Sequence, residues 1–376
     1  FPLIMSEFVT AMFTQFILSP QILYRFEILH QWRPGLDVRG VGLYNGLDFW
    51  MSFGMGKSFS FAIVGLAASI PMLLKMRQKR PQSAGARGSL RPPPGRGDFP
   101  LWLMGGLWLI GMAAFVWLVH WMVPNFPLTF LLGFAFLYTP LHSYINARTF
   151  GVLGRGLFNI PYIHETTFIL SRYEEIDIWF APLPDEDYGS GTQHWRVLEL
   201  TGTTFTSNVA AQLLIMPILI VSGIVVWHFI WKIAPIPSSQ YPYAQTWWPI
   251  WATQECLWKT SLRDGNSQML QAIRGNYVAA GFTSSLALYG LLWVAKMPSM
   301  WFYGIISGIG GDPGGIVPRL LGALIGRFYM IKRFGLKRWF MFNPVLAAGF
   351  SCGVGLVGMG TVAIAMVSKA VIVKPF

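Results

Sequence analysis

Cysteine is nearly absent. The 376 residues hold two, Cys256 and Cys352. Two thiols are too few for a disulfide framework or a thiolate metal cluster. Cys352 lies in an apolar run and reads as a small buried hydrophobe. Charge is also scarce: Asp, Glu, Lys and Arg make up 12% of the chain, against roughly a quarter in soluble domains. Acids are the scarcer sign, 16 against 28 Lys and Arg. The signatures of hydrolysis and nucleotide binding are missing. There is no G-x-S-x-G, no P-loop, and no G-x-G-x-x-G opening a helix after a strand. The tripeptide Gly56–Ser58 spells GKS but lacks the earlier glycine of a phosphate loop and sits in an apolar run. The chain is therefore not read as an enzyme.

What is abundant is apolar and aromatic. Hydrophobic residues reach 53% and aromatics 16%, with 17 Trp. Phe342 to Ser368 is an uncharged run of 27 residues, and about 20 suffice to cross a bilayer. A basic patch precedes it, Arg327, Lys332, Arg333, Lys337 and Arg338, as anchors in the headgroup region do. Further spans are expected over Met51–Leu74, with the internal charge Lys57, and over Leu101–Val123, Phe126–Ile145, Val209–Trp231 and Tyr277–Ala295. The fold class is an all-α polytopic transmembrane bundle of about 6–8 segments, read as a single integral domain over 1–376. The net charge of +12 does not indicate nucleic acid, because the cations cluster in short loops beside spans, where lipid is the partner. A bacterial inner (plasma) membrane is the expected location.

Between the spans the composition shifts. Residues 76–98 form a Gly-, Pro- and Arg-rich linker. With its flank from Lys75 it carries seven basic residues and one acid, which sets it in the cytoplasm. Residues 146–204 hold eight of the sixteen acids and read as one or two interfacial helices with a polar loop. Phe8–Ser19 is read as an uncharged stretch of 12 residues. It is too short to cross alone, and is either the tail of a truncated span or an interfacial helix. The segment YPYAQTWWPIWATQECLW, aromatic and interrupted by proline, suits an interfacial cap.

The most chemical stretch is a Gly- and Pro-broken helix within 300–331. Gly308, Gly310, Gly311, Gly314 and Gly315 open backbone angles closed to other residues, and Pro313 removes a donor. Two half-helices with free backbone groups at membrane depth are what transporters use to hold ions and anionic groups. Asp312 lies in this turn and Arg319 follows seven residues later. As intramembrane charges they are functional or paired. A plain alternative is that they pair with each other in an extramembrane loop. The segment either dips in and returns, the favoured reading, or crosses once; an extra crossing near 246–260 is a third option. The pairs Gly322/Gly326 and Gly349/Gly353 have the spacing of close helix contacts. Six histidines are present, but there is no C-x-x-C-H or H-E-x-x-H. No cofactor and no metal are expected, although two helical histidines among His120, His142 and His228 would be the pair to ligate haem. Glu165 and His164 are adjacent and point to different faces of a helix.

The stretch RWFMFNPVLAAGFSCGVGLVG, Arg338 to Gly358, resembles the last helix of the oligopeptide transporter (OPT) superfamily, which includes the yellow-stripe-like metal–chelate carriers. The matching positions are Trp339, Asn343, Val345, Leu346, Ala348, Gly353 and Gly358. The likeness extends over roughly 300–365 and more weakly over 130–300. Family members are usually longer, and the resemblance implies that this chain corresponds to their C-terminal half or to one fragment of a larger polypeptide. The family's acidic residue near Ser351 is replaced here by serine. The resemblance implies uptake of peptides or metal chelates driven by a proton gradient. In that scheme Asp312 holds a cation or proton, Arg319 a substrate carboxylate, and Asn343 orients either. The competing expectation is a non-transporting scaffold subunit of a larger membrane assembly, with lipid, other membrane subunits or a second copy as partners.

Overall fold

The computed structural model describes residues 1–30, 33, 35, 42, 44–70, 74, 100–259, 271–311 and 313–371. Among these there is no strand, and seven helices are long and apolar enough to cross a membrane. The protein is an all-α polytopic helix bundle. The basic linker 76–98 and Asp312 lie outside the described residues. By contacts the chain sorts into two compact units, one formed by Pro2–Val209 with Trp258–Ile316, the other by Phe1, Ala210–Leu257 and Val317–Phe376.

The first unit begins with α1, Pro2–Leu23. It is α-helical to Met12 and π-helical from Phe13, with Pro20 inside the wider turn. The short uncharged run Phe8–Ser19 thus belongs to a 22-residue helix of spanning length. The sequence boundary at Glu7 was misleading because that carboxylate is buried and paired. The next helix, α2, is Met51–Ala67, entered through a π-turn at Gly46–Trp50. It ends short of the expected Leu74. It is also the most enclosed of the helices, with Met51, Ser52, Gly56, Ser58, Ser60, Phe61 and Val64 all buried. Its polar side chains face protein, where backbone carbonyls take them up: Ser52 donates to Ala272 O at 2.7 Å and Ser58 to Asn159 O at 2.7 Å.

The expected spans Leu101–Val123 and Phe126–Ile145, separated by Pro124 and Asn125, form a hairpin. Helix α3, Leu101–Met122, meets α4, Leu128–Leu153, across a turn in which Phe126 is 1% exposed. Helix α4 ends where Gly154 takes φ +75°, a conformation that needs glycine. The chain then folds back on the hairpin as α5 (Ile163–Ser171), a short turn at Asp177–Phe180 and α6 (Gly191–Thr201). This acidic segment is a packed cap as well as a polar loop. Phe168, Tyr173, Ile178 and Leu183 are buried against Val119, Leu131 and Phe134 of the hairpin. The unit closes with α9, Gly275–Val294, and α10, Ser299–Gly308.

Two helix pairs in this unit approach so closely that only glycine fits. A Cβ on Gly56 of α2 would collide with the backbone of Val278 in α9, and one on Gly281 of α9 with the backbone of Phe53 in α2. Likewise a Cβ on Gly304 or Gly308 of α10 would strike Ser6 or Glu7 of α1. Gly304 and Gly308 are four apart and form the small-residue contact that lets α1 and α10 touch backbone to backbone.

The second unit contains most of α7, Phe205–Ile233, then α8, Pro242–Lys259, most of α11, Pro313–Phe334, and α12, Leu336–Val371. Helix α8 runs through Pro249, so the aromatic segment expected to be broken by proline is one helix. Helix α11 has 22 residues and is long enough to cross without its partner α10. The arm before the break, α10, has 10 residues. No residue of α7 or α12 is buried. Local polar contacts join the loops: Tyr241 donates to Ile230 O at 2.7 Å, Lys369 to Gln240 O, and Arg333 to Tyr329 Oη at 2.8 Å. Within this unit no atom lies within 4 Å of where Gly322, Gly349 or Gly353 would carry a Cβ, and Gly326 has only Trp339 Nε1 at 3.8 Å.

The glycine geometry predicts a contrast. Gly56→Ala forces backbone apart and should lower stability by about 1–3 kcal/mol, the usual cost of overpacking. Gly349→Ala meets open space and should leave thermal unfolding of the detergent-solubilised protein unchanged or slightly raised. Equal effects of the two substitutions would refute the close approach of α2 and α9.

Candidate functional site

The break in the helix after Gly308 is real, and its backbone is held by side chains from two other helices. Helix α10 ends at Gly308 and α11 resumes at Pro313. Gly310 takes φ +74° between them, which is where the freedom of glycine is used. The end of a helix leaves carbonyls without intrahelical donors. Here Gly308 O accepts from Gly311 N at 3.0 Å, Gln15 Nε2 of α1 donates to Gly311 O at 3.4 Å, and Lys57 Nζ of α2 donates to Ile309 O at 3.0 Å; Thr14 Oγ1 of α1, whose hydroxyl donates to Ala11 O at 3.1 Å, lies 3.5 Å from Gly308 O. Lys57 is the strongest of these, because its ammonium also meets the partial negative charge at the C-terminal end of α10.

One turn earlier on α10 sits a charged knot. Arg155, just past the end of α4, reaches Glu7 Oε2 of α1 at 2.5 Å. Ser307 of α10 donates to Glu7 Oε1 at 3.2 Å and accepts from Arg155 at 3.4 Å. Glu7 is 3% exposed. A carboxylate so deeply buried requires a paired cation. Arg155 thus ties α1, α10 and the loop after α4 at one point.

Between these two groups lies a cavity of about 240 Å³. Lys57, Ser58 and Ser307 supply its polar wall, and Phe61, Phe158 and Ile306 its apolar wall. The unit therefore holds a cavity with Lys57 in its wall, against an interrupted stretch of backbone.

The residues read from the sequence are distributed differently. Gly308 and Gly310 perform the close approach and the left-handed turn, and Gly311 lies in the interruption. Gly314 and Gly315 sit in the first turn of α11. Asp312 is outside the described residues. Arg319 and Asn343 are exposed residues of the second unit. The sequence reading missed Glu7, Arg155 and Ser307 and dismissed Lys57. The available signal was an ionisable residue inside an apolar run, plain for Lys57. Glu7 was hidden because it was taken as the edge of a run.

A second polar cluster binds the fold-back segment to α4. Asn146 takes Phe158 N at 2.9 Å, gives to Phe158 O at 3.1 Å, and reaches Asp187 at 3.1 Å. Thr139 donates to Pro184 O at 2.6 Å. His142 stacks on Tyr138 and its Nε2 lies 3.1 Å from Phe158 O. His164 Nε2 lies 2.7 Å from Asp185 Oδ2. Burial works against the Asp185 carboxylate, but the hydrogen bond and charge of His164 outweigh it and hold Asp185 below its ordinary pKa. Among the described residues no three His, Cys, Asp or Glu side chains converge to hold a metal. No family model, no curated protein and no solved structure matches this chain.

Two outcomes follow from these pairings. Glu7→Leu or Arg155→Met alone leaves a buried charge unpaired and should cost about 3 kcal/mol, whereas the double variant should recover much of that loss. Additive losses in a double-mutant cycle would show that the pair is not coupled. Asp185, with its folded pKa depressed, contributes stability above the ordinary carboxylate range that is lost as pH falls through the folded value. Wild type should therefore out-melt Asp185→Asn at neutral pH, with the gap closing in acid; a gap independent of pH would remove the His164 pairing.

Proposed function

We propose that the chain is a secondary carrier, or the C-terminal half of one, and that its solute path runs past the break between α10 and α11. The observation that carries this is Lys57 Nζ on Ile309 O at the edge of the 240 Å³ cavity. Interrupted helices whose freed backbone faces a polar space are the recurring way to hold solutes and ions at membrane depth. Ionisable groups within membrane helices are costly and are kept for pathways and binding. Lys57 and Glu7 are two such groups near one interruption, and Arg155, just past α4, pairs with Glu7. Asp312, in the same turn by sequence, is a further candidate and would carry the coupling cation or proton. The OPT likeness of Arg338–Gly358 adds peptide-like or metal-chelate solutes and a proton gradient as the driving force, in a bacterial inner membrane.

The scaffold alternative has its own support. Helices α7 and α12 bury no residue, leaving long apolar faces for lipid or other subunits.

Reconstitution separates the two. Purified protein in liposomes should accumulate solute from a panel of small carboxylates, dipeptides and metal chelates under an inward proton gradient. Lys57→Met should reduce initial uptake at least about tenfold, which is the scale of one lost charge-assisted hydrogen bond, with the same elution profile as wild type. Uptake no greater than in empty vesicles, together with stoichiometric co-purification of unrelated membrane subunits, would replace the carrier with the scaffold.

A further inference from the structure

The cavity beside the break is small and carries excess positive charge, and these two properties narrow what it can hold. Its volume, about 240 Å³, lies below the roughly 300–1,000 Å³ of pockets that enclose drug-sized ligands. A peptide of several residues does not fit; a molecule of a few heavy atoms does. The charge comes from Lys57. Its ammonium has three donors, and one is used, on Ile309 O at 3.0 Å. Among the described residues no carboxylate lies within ion-pair distance of it. The acid of this neighbourhood, Glu7, is already engaged on both oxygens by Arg155 and Ser307. Arg155 is paired with Glu7 behind Ser307, so Lys57 is the charged side chain in the cavity wall. Phe61, Phe158 and Ile306 form the apolar part of its lining.

We infer that this cavity is a binding site for one small oxyanion, a carboxylate or phosphate group held by the free donors of Lys57. The inference rests on the carrier reading only in treating the anion as cargo. Binding is measured without transport, so intact binding with no uptake sinks the carrier alone, and absent binding sinks the oxyanion site alone.

The test is calorimetric titration of the purified full chain in neutral detergent at constant chloride and ionic strength, with acetate, inorganic phosphate and the dipeptide alanylalanine as probes. Saturable one-to-one binding of acetate or phosphate is expected, and it assigns the site to a free ion. Binding of the dipeptide without acetate assigns the same chemistry to the terminal carboxylate of a larger molecule. In either case Lys57→Met should weaken binding at least tenfold and Lys57→Arg should retain it. Ile306→Trp, which fills the cavity and leaves Lys57 in place, is the second variant and should abolish binding. No saturable binding of any probe, or unchanged affinity in Lys57→Met or in Ile306→Trp, overturns the inference.

Discussion

A helix that stops inside an apolar environment must find donors for its last carbonyls, and the first unit is organised around that requirement. Water would satisfy such groups at no cost in a soluble protein, but in hydrocarbon each unpaired carbonyl costs several kcal/mol or about that order. The interruption after Gly308 is tolerable because Gly311 N closes on Gly308 O, and Gln15 from α1 and Lys57 from α2 supply further donors. Those donors can reach only if α1 and α10 lie almost in backbone contact. The pair Gly304 and Gly308 permits this, since any side chain there would strike Ser6 or Glu7. Packing and polar satisfaction are therefore one device. The glycines bring α1 close, and α1 in return supplies what the broken helix lacks.

The same logic explains the charged knot. Glu7 would be prohibitive inside α1 without Arg155, and Arg155 arrives only because α4 ends at the left-handed Gly154 and turns the chain back toward α1. The fold-back segment that follows is fixed by Asn146, Thr139 and the buried rings of Phe158 and Phe168. An acidic, loop-rich stretch thereby serves as the wall of a cavity, with Leu157, Phe158 and Asn159 facing Lys57 and Ser307. The two units differ in character. The first has a protein core, while in the second α7 and α12 bury nothing and depend on lipid as their solvent.

Much of the architecture was legible in the sequence because length and apolarity alone decide what can cross a bilayer. The hairpin of α3 and α4, α9, α7 and α12 all lie close to where the uncharged runs placed them. The errors share a cause. Glu7 was taken as the end of a run, Lys57 as incidental, and Pro249 as a breaker. A single charge or proline interrupts a hydropathy pattern, but it does not interrupt a helix when a neighbour compensates. The glycine pairs show the same limit. Spacing of four residues singled out Gly322/Gly326 and Gly349/Gly353, yet the spacing says nothing about which face meets a partner, and the contact made within the first unit is at Gly304 and Gly308.

By itself the sequence determined the solvent of this protein, the all-α class, the approximate spans and the existence of a break near Gly308–Gly315, because each follows from local composition and backbone freedom. Only the tertiary structure decided which charges surround that break. Glu7, Lys57, Arg155 and Ser307 are separated by up to 300 residues, and an ion pair between such distant positions leaves no periodic trace. Their meeting is set by helix packing, which acts through shape and close approach rather than through any run of neighbouring residues.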